Sequence, residues 1–184
     1  VSRYIGPFRT VGENTVIFSI EDFLNRQYYS GGASRVIKRK IVEQFGYLNQ
    51  DCQTEDSVFN FRAFLTTGLG YCSIPMVNYR VHDNNISSPT NLLVGFDPKL
   101  IYKQYKKDLD IAQKNGIINK CKYDLILRHL VHHRDKEEAI RKIYIKKMLV
   151  SRLAIYFPMI FSNKYSLRTK LSFLKTILSW KINK

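Results

Sequence analysis

The 184-residue chain reads as an α+β protein: a small mixed sheet with helices over residues 1–88, then an almost purely helical region over 97–184. Three observations point there. Short β-prone runs punctuated by Gly and Pro cluster before residue 88. Helix caps and an apolar period near 3.6 residues dominate after residue 97. Between them, Ser88-Pro89-Thr90 and Gly95-Phe96 mark a linker at 89–96. With 45% apolar residues, 12 Tyr and 11 Phe, the composition is not that of a disordered chain.

The elements follow in order. Val1 to Ile5 and Thr15 to Phe18 are β-prone, with a turn at Val11-Gly12-Glu13-Asn14. Ser19-Ile20-Glu21-Asp22-Phe23 is a cap and first turn leading to a short helix through about Tyr28. Gly31 and Gly32 allow a turn or the close approach of a ligand to the backbone. A basic amphipathic segment from Arg35 to Phe45 ends on Gly46. Thr54 is placed to cap a helix that stops at Gly68, with Val58, Phe61, Ala63, Phe64 and Leu65 on a buried face. Glu55 and Asp56 fall in its first turn, where the dipole and free N–H groups favour negative charge. Such carboxylates either cap the helix or take a proton from a bound hydroxyl as a general base. Tyr71 to His82 is a β-rich run that Pro75 divides or confines to an edge, and Asp83-Asn84-Asn85 is a polar turn.

Beyond the linker, Asp97-Pro98 places a cap before proline at the first helical position. Leu100, Ile101, Tyr105, Leu109 and Ala112 continue that helix to a stop at Gly116. A second helix is expected from about Asn119 to His133. A third is expected to start from Asp135-x-x-Glu138 as a capping box and to be ended near Phe157 by Pro158. His129 and His133, four apart, have a zinc-compatible spacing but no third ligand in the pattern, so helix-surface or helix-end histidines are expected. The segment Ser166 to Trp180 carries an apolar stripe, Leu167, Leu171, Leu174 and Leu178 with Phe173, Ile177 and Trp180. Arg168, Lys170 and Lys175 supply its charge. Such a stripe covers a core or lies on an anionic membrane.

One ordered series ties the first half together: Gly31-Gly32-Ala33-Ser34, Phe45-Gly46-Tyr47-Leu48, Thr54-Glu55-Asp56, Arg62-Ala63, Gly68, Ile74-Pro75, and Tyr79-Arg80-Val81-His82-Asp83-Asn84-Asn85-Ile86-Ser87. At these spacings it resembles the second half of a family-2 glycosyltransferase with the α/β GT-A fold, over roughly residues 28 to 88. The resemblance implies that residues 1–88 are the acceptor-side half of the transferase domain and Asp56 is the general base. It further implies that Glu55, Gly31, Gly32 and Arg80 line the acceptor or donor site, and that His82 helps hold a divalent metal, Mg or Mn, or the nucleotide diphosphate. The reaction implied is inverting transfer of a sugar from a nucleotide-sugar to a glycan or lipid-linked acceptor in surface polysaccharide synthesis. The family's nucleotide-binding half and its Asp-x-Asp metal motif are not present before these residues, so a piece lacking the donor half, inactive alone, is expected. Asp108-Leu109-Asp110 has the motif's spacing but follows the catalytic region among lysines, and reads as a solvated helix face. The Gln-x-x-Arg-Trp motif of processive relatives is also missing, which implies non-processive addition.

The net charge of +15 calls for an anionic partner. From Lys164 to Lys184 there are six Lys or Arg and no acid, which suggests an anionic membrane surface. A basic helical binding module for membrane or nucleic acid is the alternative to a transferase. Nucleic acid is disfavoured: the basic residues are not interleaved with aromatics in a recognition motif, and the Glu55-Asp56 pair would repel phosphates. Cys52, Cys72 and Cys121 form no C-x-x-C pair and fit a reducing compartment. No run of about 18 apolar residues predicts a membrane-spanning helix. A cytoplasmic protein, peripheral on the inner face of the cell membrane, is expected.

Overall fold

A computed structural model describes residues 15–26, 36–72, 95–145, 149–163 and 165–178. It is mostly helical with a small antiparallel sheet, an α+β architecture. In order the elements are β1 (Thr15–Phe18), α1 (Ile20–Asn25), α2 (Arg39–Phe45), α3 (Glu55–Thr66), β2 (Leu69–Cys72), α4 (Pro98–Lys114), α5 (Lys120–Ile145), α6 (Leu149–Phe161) and α7 (Leu167–Leu178).

Local chemistry explains several boundaries. Ser19 Oγ accepts from the Asp22 N–H while Asp22 Oδ2 accepts from the Ser19 N–H, a reciprocal capping box that starts α1. Asp97 Oδ1 accepts from the Lys99 N–H and Pro98 takes the first position of α4, where its missing N–H costs nothing. At the other end of α4, Gly116 adopts φ 69°. The Ile117 N–H then reaches the Ala112 carbonyl and the Gly116 N–H that of Gln113, the paired bonds of a Schellman stop. Gly68 sits at φ 92° between α3 and β2, and a Cβ there would lie 2.6 Å from the Phe18 carbonyl oxygen. Only glycine permits the strand to return against β1 at this point.

β1 and β2 pair antiparallel, Thr15 opposite Cys72 and Phe18 opposite Leu69. The expected mixed sheet is therefore, among the described residues, two antiparallel strands. The β-prone segment 1–5 and most of the Tyr71 to His82 run lie outside the described residues.

By contact the chain forms two compact units, residues 1–81 with 100–131, and residues 82–99 with 132–184. In the first, α1 and α2 pack on α3, and Phe23, Phe45, Phe61, Phe64, Leu109 and Ile126 belong to one continuous core. Phe23 meets Phe61 and Phe64 at ring-centroid distances of 5.3 Å, so the apolar face expected for the Glu55 helix is buried. In the second unit, Ile143, Tyr156, Met159, Phe173 and Ile177 form a separate core built largely from the packed neighbours α6 and α7.

Two expected helix boundaries are corrected. Asp135 does not start a helix, because α5 runs unbroken from Lys120 to Ile145. Nothing between those residues is Gly or Pro, and the Asp135 carboxylate accepts from the Arg134 guanidinium at 2.7 Å. Pro158 does not end its helix either; α6 continues to Phe161. Pro158 and Ala154, the residue whose carbonyl loses its donor, are both exposed, so water is within reach of the group that proline leaves unpaired.

Candidate functional site

The first turn of α3 holds the Glu55-Asp56 pair, and both side chains are exposed. Most of the helix beyond that turn is enclosed: Val58 and the run Asn60 to Leu65 are buried, with Phe59 and Thr66 partly so. The carboxylates thus project from the open end of an otherwise enclosed helix. Thr54 occupies the N-cap position but makes no capping bond; its Oγ1 is buried and has no hydrogen-bond partner among the described residues. The expected threonine cap is corrected accordingly. Thr54 φ and ψ of −140° and 65° turn the residue away from the geometry in which its hydroxyl reaches back to the helix N–H groups.

The helix is pinned by Arg62, whose side chain is completely buried. Its Nε donates to Asp108 Oδ2 at 2.7 Å, its Nη2 to Asp108 Oδ1 at 3.0 Å, and its Nη1 to the Gly46 carbonyl at 2.8 Å. Gln104 Nε2 gives Asp108 Oδ1 a third bond at 2.9 Å, and Gln104 Oε1 accepts from the Asn49 N–H at 2.8 Å. The guanidinium carbon lies 5.4 Å from the centroid of the Phe45 ring and 5.6 Å from that of Phe59. A fork-to-fork pair with aromatic neighbours is the arrangement in which arginine tolerates burial best. Burial pushes the Asp108 carboxyl above its ordinary 3.8, while Arg62, Gln104 and the nearby Lys107 charge pull it back down.

Asp108 is therefore not part of a solvated face, contrary to the sequence expectation; it is fully buried, whereas Asp110 is exposed. The sequence does carry a signal for this. Asp108 falls one residue before Leu109 and four before Ala112, on the apolar side of its helix, and Arg62 falls four after Val58 on the apolar side of its own. A charge of each sign inside an apolar stripe announces a buried pair.

The network also shapes the segment between α2 and α3. Gly46, at φ 71°, closes α2 and offers its carbonyl to Arg62. Lys107 Nζ donates to the Tyr47 carbonyl at 3.3 Å and to Asn49 Oδ1 at 3.1 Å, and Lys103 Nζ to Asp51 Oδ2 at 3.1 Å. The loop backbone is held from α4 at several points, while the Tyr47 side chain remains 89% exposed.

Gly31, Gly32, Arg80 and His82 lie outside the described residues, so the candidate site consists of Glu55, Asp56 and the loop 46–52. Among the described residues no group of three or more His, Cys, Asp or Glu is arranged to hold a metal ion. His129 packs its ring 5.7 Å from that of Phe23, as a half-buried histidine on the core's edge. No described helix is long and apolar enough to cross a membrane. No family model, curated protein or solved structure matches the chain.

Proposed function

We propose that the chain is the acceptor-side portion of a sugar transferase of the family-2, GT-A type, with Asp56 as the base that accepts the proton of the acceptor hydroxyl. The observation that carries the reading is the exposed Glu55-Asp56 pair at the mouth of a helix whose remaining turns are largely buried and tied down by Arg62. An ordinary aspartate is a weak base towards a sugar hydroxyl, so its value lies in placement: proton transfer runs late, as the acceptor oxygen attacks the anomeric carbon and the nucleotide leaves. Rigidity at Asp56 is then a functional property, and the Arg62 anchor provides it from one turn and a half away. Glu55 orients the acceptor or the adjoining loop, and the loop 46–52 forms one wall. The resemblance assigns the donor nucleotide and its divalent metal chiefly to the family's nucleotide-binding half, and assigns Gly31, Gly32, Arg80 and His82 roles in binding.

Asp56→Asn tests this in the full-length protein. It preserves size and much of the capping ability while removing the charge that accepts the proton. The expected result is normal folding and donor-nucleotide binding with sugar transfer reduced by about 10²–10⁴-fold, the usual contribution of a positioned base. Unchanged turnover with a stability loss of up to about 1 kcal/mol would make Asp56 a helix cap only. Glu55→Gln is expected to be milder, and the opposite order would assign the base to Glu55.

A further inference from the structure

The α6–α7 hairpin carries an apolar surface that its own core does not use. Tyr156 and Met159 of α6 and Phe173 and Ile177 of α7 face inward with Ile143. Tyr156 Oη donates to the Lys170 carbonyl at 3.3 Å, and the Tyr165 and Phe173 rings meet edge to face at 5.4 Å. So the inner half of the sequence's apolar stripe covers a core. The outer half does not: Leu167 and Leu171, four apart in the first turns of α7, are 73% and 56% exposed. On α6, Phe157 and Phe161 are likewise four apart in its last turns and 58% and 78% exposed. α6 ends at Phe161 and α7 begins at Leu167, so all four large apolar side chains belong to the helix turns that flank this one connection.

The charge of this region is one-sided. After Glu138, residues 139–184 hold eleven Lys or Arg and no Asp or Glu. Arg168, between Leu167 and Leu171, is exposed as well. We infer that the turn end of the α6–α7 hairpin docks on an anionic lipid surface, with Phe157, Phe161, Leu167 and Leu171 entering the headgroup–acyl boundary and the surrounding Lys and Arg against the headgroups. Apolar tips within a basic field match the two halves of such an interface. A second copy of the chain is a poor cover, because pairing would bring two acid-free basic regions together. Nucleic acid answers the charge but offers nothing to the aliphatic Leu167 and Leu171. The inference stands independently of the transferase reading.

The test is co-sedimentation of the full chain with vesicles of phosphatidylcholine alone or with about 30 mol% phosphatidylglycerol, at about 0.1 and 0.5 M salt. Binding to the anionic vesicles only, weakened by salt, is expected. The variant Phe157→Ser/Phe161→Ser/Leu167→Ser/Leu171→Ser changes only exposed side chains; it should keep its far-UV circular dichroism and lose affinity more than about tenfold. Arg168→Gln/Lys170→Gln should weaken binding at low salt and converge with the parent at high salt. Equal binding to neutral vesicles, no binding at all, or an unaffected serine variant would overturn the inference. So would tighter retention on a single-stranded RNA oligonucleotide that the serine changes leave intact, or a dimer that those changes dissolve in a protein indifferent to vesicles.

Discussion

Replacing Arg62 by Met removes three hydrogen bonds from a side chain with no solvent exposure and leaves Asp108, equally buried, with Gln104 as its nearest remaining donor. Methionine keeps most of the apolar contact with Phe45 and Phe59, so the loss is chiefly electrostatic. Breaking a buried pair from one side costs about 3–5 kcal/mol. The Gly46 carbonyl, deprived of its donor, pushes the cost towards the upper end of that range. Against a domain stability of about 5–15 kcal/mol, this is a third of the total or more. Removing both charges is different: in Arg62→Met/Asp108→Leu the carboxylate is gone, and the double variant should return to within about 2 kcal/mol of the parent, the remainder reflecting Gln104 and Gly46. The coupling in the double-mutant cycle should then be about 3 kcal/mol or more favourable.

Urea unfolding followed by far-UV circular dichroism measures all four corners. A pH series adds a check of sign. Without Arg62 the folded-state carboxyl of Asp108, already raised by burial, rises further above its unfolded value of 3.8. The folded variant then holds a proton that the unfolded chain has released, so its stability falls as pH climbs from 3.8 through the raised folded value. The deficit of Arg62→Met should therefore be smaller near the acid end of that window than at neutral pH. A single-variant cost below about 1 kcal/mol, or a deficit that grows on acidification, would refute the buried-pair account.

Thr54→Ala should cost clearly less than the usual 0.5–2 kcal/mol of a lost cap, because the Thr54 hydroxyl makes no capping bond and is buried unpaired; urea midpoints decide it. In the second unit Glu138 meets Lys99 and Lys142, each at 3.3 Å. Burial raises its carboxyl, but the bonds to those two ammonium groups outweigh that and leave it below 4.5. A lowered folded value gives stability that is present above pH 4.5 and lost as pH falls through the folded value. Urea midpoints of the parent and Glu138→Gln should thus converge at low pH, with a gap at neutral pH of less than about 1 kcal/mol because both lysines are largely exposed.

What the sequence made legible was local. Ser19 with Asp22, Asp97 with Pro98, Gly68 and Gly116 each announce a boundary through chemistry confined to a few residues, and each stands where expected. The paired acids Glu55 and Asp56 were likewise found at a helix start. What could not be read from neighbours was partnership over distance. Arg62 and Asp108 are 46 residues apart, and the lysines around Asp108 made an aspartate look solvated when only its flanks are. Asp135 shows the converse error: its spacing to Glu138 suggests a cap, but the adjacent Arg134 claims its carboxylate and the helix runs on. The stripe of Ser166 to Trp180 was legible as a stripe, yet only packing divided it into Phe173 and Ile177, which are covered, and Leu167 and Leu171, which are not.

The reach of Arg62 also has a meaning in time. A ribosome adding about 5–20 residues per second delivers Asp108, 46 residues later, some 2–9 s after Arg62. Through that interval the nascent helix carries a guanidinium that its apolar neighbours would bury and that has no counter-charge to meet. Closing Phe45 and Phe59 over Arg62 before α4 emerges would strand the charge, so native packing around Arg62 is expected to wait for Asp108. The buried pair thereby links native packing of α3 to the synthesis of α4.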